Sequence, residues 1–285
     1  MSSSISLKDC QHSKRSRGRD SLSRGSSLRA ETERPERPEV LRLVYPDSFR
    51  MLAGVSAGFT TRWSGTSPAP WSTLNLSENV GDAKRHVSQN RKALLDHLKW
   101  PGALIIPRQV HGSEVLIIEE PTDWDALEGD AAITSASGIL LGVLVADCVP
   151  ILLADRRGRA VGCVHAGWRG TAQDIATRAV NAMTAFAGTD PEDLRAAIGP
   201  CIGSCCYEVD DPVLQALSRA CPGGLPQTSR VDLQEINRRQ LVAAGMIDDH
   251  IEILRLCTSC RKDLFFSYRR DSGRTGRMLG FIGLR

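Results

Sequence analysis

Residues 139–166 read ILLGVLVADCVPILLADRRGRAVGCVHA. Three apolar runs follow one another in this stretch: Ile139 to Ala146, Ile151 to Ala154 and Ala160 to His165. A membrane span takes about 20 consecutive apolar residues, and Asp147 and Cys148 interrupt the first run well before that. Short runs rich in Val, Ile and Leu read as strands buried on both faces. The segment Arg156–Arg159, which carries Gly158, suits a hairpin between the last two runs.

The same reading extends outward. Gly54 to Thr61, Leu104 to Pro107, Val115 to Ile118 and Arg195 to Ile198 are further strand candidates. Lys84 to Leu98 has helical spacing, with Val87, Leu94, Leu95 and Leu98 on one side. Thr171 to Phe186 repeats the pattern through Ile175, Ala179, Ala182 and Met183, and Pro212 to Cys221 and Leu233 to Ala244 are further helices. Short strands mixed with helices, without an internal repeat, predict a single α/β or α+β domain over residues 44–285.

The chain has 285 residues, of which 41% are hydrophobic and 24% charged, an ordinary balance for a globular protein with a sizeable core. Residues 1–40 hold ten serines, nine Lys/Arg and six Asp/Glu. The whole net charge of +3 therefore sits there, and the remaining 245 residues are balanced. No domain-wide basic footprint for nucleic acid exists. With so little apolar surface, residues 1–43 read as a disordered Ser/Arg-rich extension. An organellar transit peptide is the alternative, although Asp9 and Asp20 interrupt the segment and no apolar stripe runs through it. Nine cysteines, an odd number, without an N-terminal apolar core, point to a reducing compartment, the cytoplasm. A monomer or homodimer is expected.

Of the six histidines, His12, His86, His97 and His250 lie among polar neighbours and read as surface residues. His111 and His165 differ: each sits near the end of an apolar strand and is followed by Gly or Ala-Gly. Cys148 ends a third such strand. Two imidazoles and a thiolate leave one tetrahedral position open, which suits a catalytic zinc. The competing reading makes Cys148 a buried small hydrophobe and the histidines satisfied core residues. Cys201, Cys205 and Cys206, with the C-x-x-C pair Cys257 and Cys260, could build a second, Cys₄ site. Cys10, Cys163 and Cys221 carry no pattern.

Five blocks occur in a fixed order: Gln109 to Gly112, Ala146 to Pro150, His165 to Gly170, Gly199-Pro200 with Cys206 to Val209, and Phe266 to Arg270. Gly58 to Arg62, Leu74 to Leu76, Val80 to Asp82 and Asn90-Arg91 precede or join them. Over residues 50–285 the chain resembles the YfiH/laccase-domain family. The loop after Thr61-Arg62 departs from it, running Trp63-Ser64-Gly65-Thr66 where the family usually carries two glycines.

The resemblance implies one domain of layered mixed sheets flanked by helices. It implies a Zn²⁺ bound by His111, Cys148 and His165, with Cu²⁺ as another possible occupant of the trio. It further implies phosphorolysis of purine nucleosides (adenosine, inosine or methylthioadenosine plus phosphate), with adenosine deamination as a side activity. Arg62 and Arg169 are candidates for the phosphate, because guanidinium forks bind its oxygens bidentately. Asn75 is a candidate for ribose or base, and Asp147 for orienting a ligand histidine or acting as base. The rivals are a Cys–His amide hydrolase editing peptidoglycan precursors through Cys148 and His165, a copper-dependent polyphenol oxidase, and an adaptor acting through the basic extension. The oxidase needs paired H-x-H histidines, and the sequence has none.

Overall fold

A computed structural model describes residues 40–121, 127–225 and 228–285. Most of the extension read over residues 1–43, namely residues 1–39, lies outside the described residues.

The described residues build two mixed sheets. The first contains β1 (Leu43–Val44), β2 (Val55–Thr60), β3 (Ala103–Ile105), β6 (Ile139–Val145) and β11 (Met278–Leu284), in the order β1-β2-β11-β6-β3. The second contains β4 (Val115–Ile117), β5 (Ala131–Thr134), β7 (Val149–Asp155), β8 (Val161–Ala166), β9 (Leu194–Ile198) and β10 (Ile251–Ile253), in the order β10-β9-β7-β8-β5-β4.

The apolar runs are continuous because both faces of each sheet are covered. Successive side chains of β7 alternate between two cores: Val149, Ile151 and Leu153 meet the helices α3 (Ile175–Ala187), α4 (Asp211–Ala220) and α5 (Leu233–Ala243). Leu152 and Ala154 enter the core between the sheets, opposite Phe59, Val143, Val145 and Ile282. On the outer face of the first sheet, Leu140, Leu279 and Phe281 pack under α1 (Lys84–Leu98), whose Leu94 and Leu98 point inward with Leu74 and Leu76. The result is a helix–sheet–sheet–helix stack. No described helix is long and apolar enough to cross a membrane.

The run Thr171 to Phe186, expected to be one helix, is two. A short α2 (Trp168–Ala172) ends at Gln173, and Asp174 adopts φ 58 before α3 begins. The Asp174 carboxylate accepts from Gln240 Nε2 at 2.8 Å, so a partner on α5 holds the break open. β11 is central to its sheet yet carries Gly280 and Gly283. A Cβ on Gly283 would stand 2.5 Å from the Ile139 carbonyl and 2.6 Å from the Trp100 ring, so no larger residue fits there. In the departed loop Ser64 takes φ 74, the left-handed region that favours glycine.

Sheet register brings the strand ends together. β7 and β8 are antiparallel with Pro150 opposite His165, so Cys148, just before β7, lies beside the end of β8. β5 runs antiparallel on the other side of β8, with Ala131 opposite Val164, which sets Asp130 against His165.

Candidate metal centre

The ligand atoms of His111, Cys148 and His165 all lie within 4.8 Å of one another. Each arrives from a different element. His165 is buried at the end of β8, Cys148 is half-buried on the turn between β6 and β7, and the exposed His111 sits on the loop before β4. The two imidazoles meet edge to face, with centroids 4.8 Å apart.

The organiser of this group is Asp130, fully buried at the start of β5. Its carboxylate accepts the backbone N–H groups of Val110 (3.1 Å), His111 (3.0 Å) and Gly112 (2.7 Å). Three successive donors fix a turn in which His111 takes φ 59 and swings its ring toward Cys148. The same carboxylate stands 2.7 Å from His165 Nδ1. With Nδ1 committed to Asp130, Nε2 is the nitrogen left to face the cleft, an arrangement that orients metal-ligating imidazoles. Sequence reasoning missed Asp130. Its only signal was an acid directly before an apolar run, and a buried acid needs partners.

The charges reinforce one another. Burial by itself would push the Cys148 thiol up, but the His165 and His111 imidazoles outweigh it and hold the thiol at about 6. Burial would lower His165, yet the Cys148 thiolate and the Asp130 carboxylate raise it to about 9. Burial would likewise raise Asp130, and its bonds to His165 and to the loop N–H groups bring it below the usual range. The Cys148 thiol and the His165 imidazole thus favour one another's charged forms.

Close backbone approach leaves room for this group. A Cβ on Gly167 would lie 3.1 Å from Cys148 Sγ and 3.2 Å from His111 Cδ2. Gly167→Ala is therefore expected to weaken binding of a divalent metal by about tenfold through displaced ligands, with little loss of melting temperature. Competition against a chelator reads the effect.

Asp147 takes φ 93 and bends the chain that presents Cys148. Its carboxylate accepts from Thr258 Oγ1 (2.6 Å), Ser267 Oγ (3.0 Å) and the Arg269 N–H (2.7 Å). A carboxylate so occupied suits a positioning residue rather than a base, and the partner that orients a histidine is Asp130.

The trio lies on the wall of a cleft of about 1010 Å³, lined also by Arg91, Arg108, Trp168, Arg169, Tyr207, Tyr268, Arg269 and Arg277. Arg169 is exposed, with its guanidinium 4.4 Å above the Trp168 ring. Arg62 is not among the lining residues. It donates to the carbonyls of Ser72 (3.0 Å) and Lys262 (3.3 Å) and stacks on Phe266, since a guanidinium fork serves backbone oxygens as well as phosphate. Asn75 is also outside the cleft lining. It is fully buried, donates to Ser77 O and Asp82 Oδ2, and accepts from the Ser77 and Arg277 N–H groups, so its hydrogen-bonding capacity is used within the fold. Arg277 and Tyr207, which line the cleft, carried no assignment from the sequence.

Residues 56–285 match the family described as multi-copper polyphenol oxidoreductase laccase. The chain is 40% identical over 251 residues to the purine nucleoside phosphorylase YlmD of Geobacillus stearothermophilus, covering 82% of this chain and 92% of that one. The crystal structure of that YlmD superposes with a TM-score of 0.78 at 41% identity, over 83% of this chain and 94% of YlmD. The hypothetical protein YfiH of Bacillus licheniformis superposes with a TM-score of 0.74 at 39% identity, over 81% and 93%.

Proposed function

The chain belongs to the family described as multi-copper polyphenol oxidoreductase laccase, and from that membership we propose that it is a zinc-dependent purine nucleoside phosphorylase. Its substrates would be adenosine, inosine or methylthioadenosine with inorganic phosphate, its products the purine and a ribose 1-phosphate, and adenosine deamination a side activity. The observation that carries this reading is an open trio of ligands on the wall of an arginine-lined cleft, next to relatives that bear the phosphorylase name.

The residues fit a zinc ion. Two nitrogens and one sulfur within 4.8 Å are zinc donors, one position stays open, and Asp130 holds an imidazole by the far nitrogen. When bound, zinc supplies a Lewis acid that orients a substrate oxygen and acidifies water. A multi-copper oxidase is disfavoured by the donor set, since among the described residues only His111 and His165 come together with a cysteine at this site.

In phosphorolysis a phosphate oxygen bonds to C1′ of the ribose as the C1′–N9 bond breaks. The electron pair leaves with the purine, which takes up a proton. The enzyme must hold a dianion against the face of a ribose that becomes cationic. Arg169 and Arg277 line the cleft and are the phosphate-binding residues in this reading. Trp168 and Tyr207 offer aromatic surface to the purine. Arg62 and Asn75 act by holding the loops behind the cleft.

The test is the initial rate of base release from inosine as phosphate is varied; a rate independent of phosphate would overturn the reading. Arg169→Ala is expected to raise the KM for phosphate by about tenfold or more, the scale of one charge-assisted contact, with metal content unchanged. Arg62→Ala should leave that KM in place and lower the melting temperature instead.

One observation favours a second reading. Asp130, His165 and Cys148 lie in the acid–base–nucleophile sequence of a cysteine hydrolase, which would suit amide hydrolysis. His111 distinguishes the two: a hydrolase needs no third ligand, whereas zinc does. A metal-bound Cys148 should resist iodoacetamide, and a free nucleophilic thiolate should react at once.

A further inference from the structure

Beside the cleft, the loop Cys201–Tyr207 lies against the loop Cys257–Cys260. Cys201 and Cys257 pair as a parallel bridge, and the Thr258 N–H donates to the Cys201 carbonyl at 2.9 Å. This contact gathers Cys205, Cys206, Cys257 and Cys260, all half-buried, with their sulfurs within 4.8 Å of one another. Cys260 Sγ stands 3.6 Å from Cys205 Sγ and 3.5 Å from Cys206 Sγ.

Those separations suit a metal site. A disulfide brings its sulfurs to about 2.05 Å, so neither of these contacts is one. A tetrahedral zinc with Zn–S bonds of about 2.3 Å spaces its sulfurs at about 3.8 Å, close to what is found. The Gly203 N–H donates to Cys257 Sγ at 3.3 Å and fixes that sulfur against the facing loop. Guanidiniums hold both loops: Arg270 Nη1 donates to the carbonyls of Thr258 (2.8 Å) and Ser259 (3.3 Å), and Arg230 Nη1 to that of Cys205 (3.4 Å).

We propose that the reduced protein binds a zinc ion at Cys205, Cys206, Cys257 and Cys260, a closed structural site separate from the open trio. Four thiols lose four protons as the ion enters. Cys260 is half of a disulfide in the structure, so the metal-binding form is the reduced one. An external dithiol supplies two electrons, converts that disulfide to two thiols and is itself left as a cyclic disulfide. The site braces the cleft, because Thr258, between Cys257 and Cys260, donates to the Asp147 carboxylate that shapes the turn before Cys148.

The test is zinc content of the full chain, reduced with dithiothreitol, equilibrated with zinc and desalted. About two zinc ions per chain are expected. Cys205→Ser and Cys257→Ser, made separately, should each lower this to about one, and Cys148→Ala should also leave one. Cobalt substitution then separates the sites: the Cys148→Ala protein should keep a tetrathiolate cobalt spectrum and Cys257→Ser should lose it. Should both serine variants fail to fold, zinc must protect these four cysteines of the wild-type chain from N-ethylmaleimide. A single zinc that vanishes with Cys148→Ala, alkylation of the four cysteines at the same rate with and without zinc, or iron with sulfide in place of zinc would overturn the proposal. Loss of the trio's zinc alone would refute the preceding reading and leave this one standing.

Discussion

Cys148→Ala is expected to remove the metal of the trio and to lower phosphorolysis by ~10³-fold or more, since it deletes one of three protein ligands of an open zinc site. The fold should survive. Cys148 is a half-buried residue on a turn, and losing its sulfur costs on the order of 1 kcal/mol, small against the stability of a domain this size. Zinc analysis, a thermal melt and a phosphate-dependent assay on one preparation separate the two effects. A protein that melts normally, holds no trio metal and retains full turnover would show that the trio is not the reacting centre.

Asp130→Asn should be nearly as damaging by a different route. The carboxylate, itself fully buried, collects three backbone N–H groups and His165 Nδ1. An asparagine keeps the size but has one acceptor oxygen, and its amide N–H groups face donors. Buried donors left without partners cost roughly 3 kcal/mol, or roughly 6–12 °C of melting temperature in a domain of this length. Metal affinity should fall about 10–100-fold, as for other partners of ligating histidines. The variant is expected to regain some activity at high zinc, which Cys148→Ala should not. Unchanged zinc affinity would show that Asp130 does not orient the trio.

The contrast between these residues marks what the sequence could reveal. Cys148 and His165 were legible because each ends an apolar run long enough to be read as a strand, and His, Cys and zinc have a specific chemistry. The helix Lys84–Leu98 was readable at both ends from its apolar stripe. Asp130 was not, since it opens a four-residue strand, Ala131–Thr134, in which the alanines give no β signal, and its partners lie 18 to 35 residues away. β11 was hidden by glycines that allow close approach of Trp100 and the Ile139 carbonyl at Gly283 and of Phe59 and Pro150 at Gly280. Arg62 and Asn75 show the reverse problem. A guanidinium or amide suited to a ligand is chemically the same group that satisfies buried carbonyls, and only the fold reveals that Arg62 serves Ser72 and Lys262 while Arg169 faces the cleft. The break at Asp174, likewise, depends on Gln240, 66 residues away.

The assignment as a phosphorylase is tested most directly by product analysis of the zinc-loaded chain incubated with adenosine, with and without inorganic phosphate. The account predicts adenine and ribose 1-phosphate in equal amounts when phosphate is present, and neither when it is absent. Inosine as the only product, or no turnover of adenosine, inosine or methylthioadenosine under either condition, would contradict it.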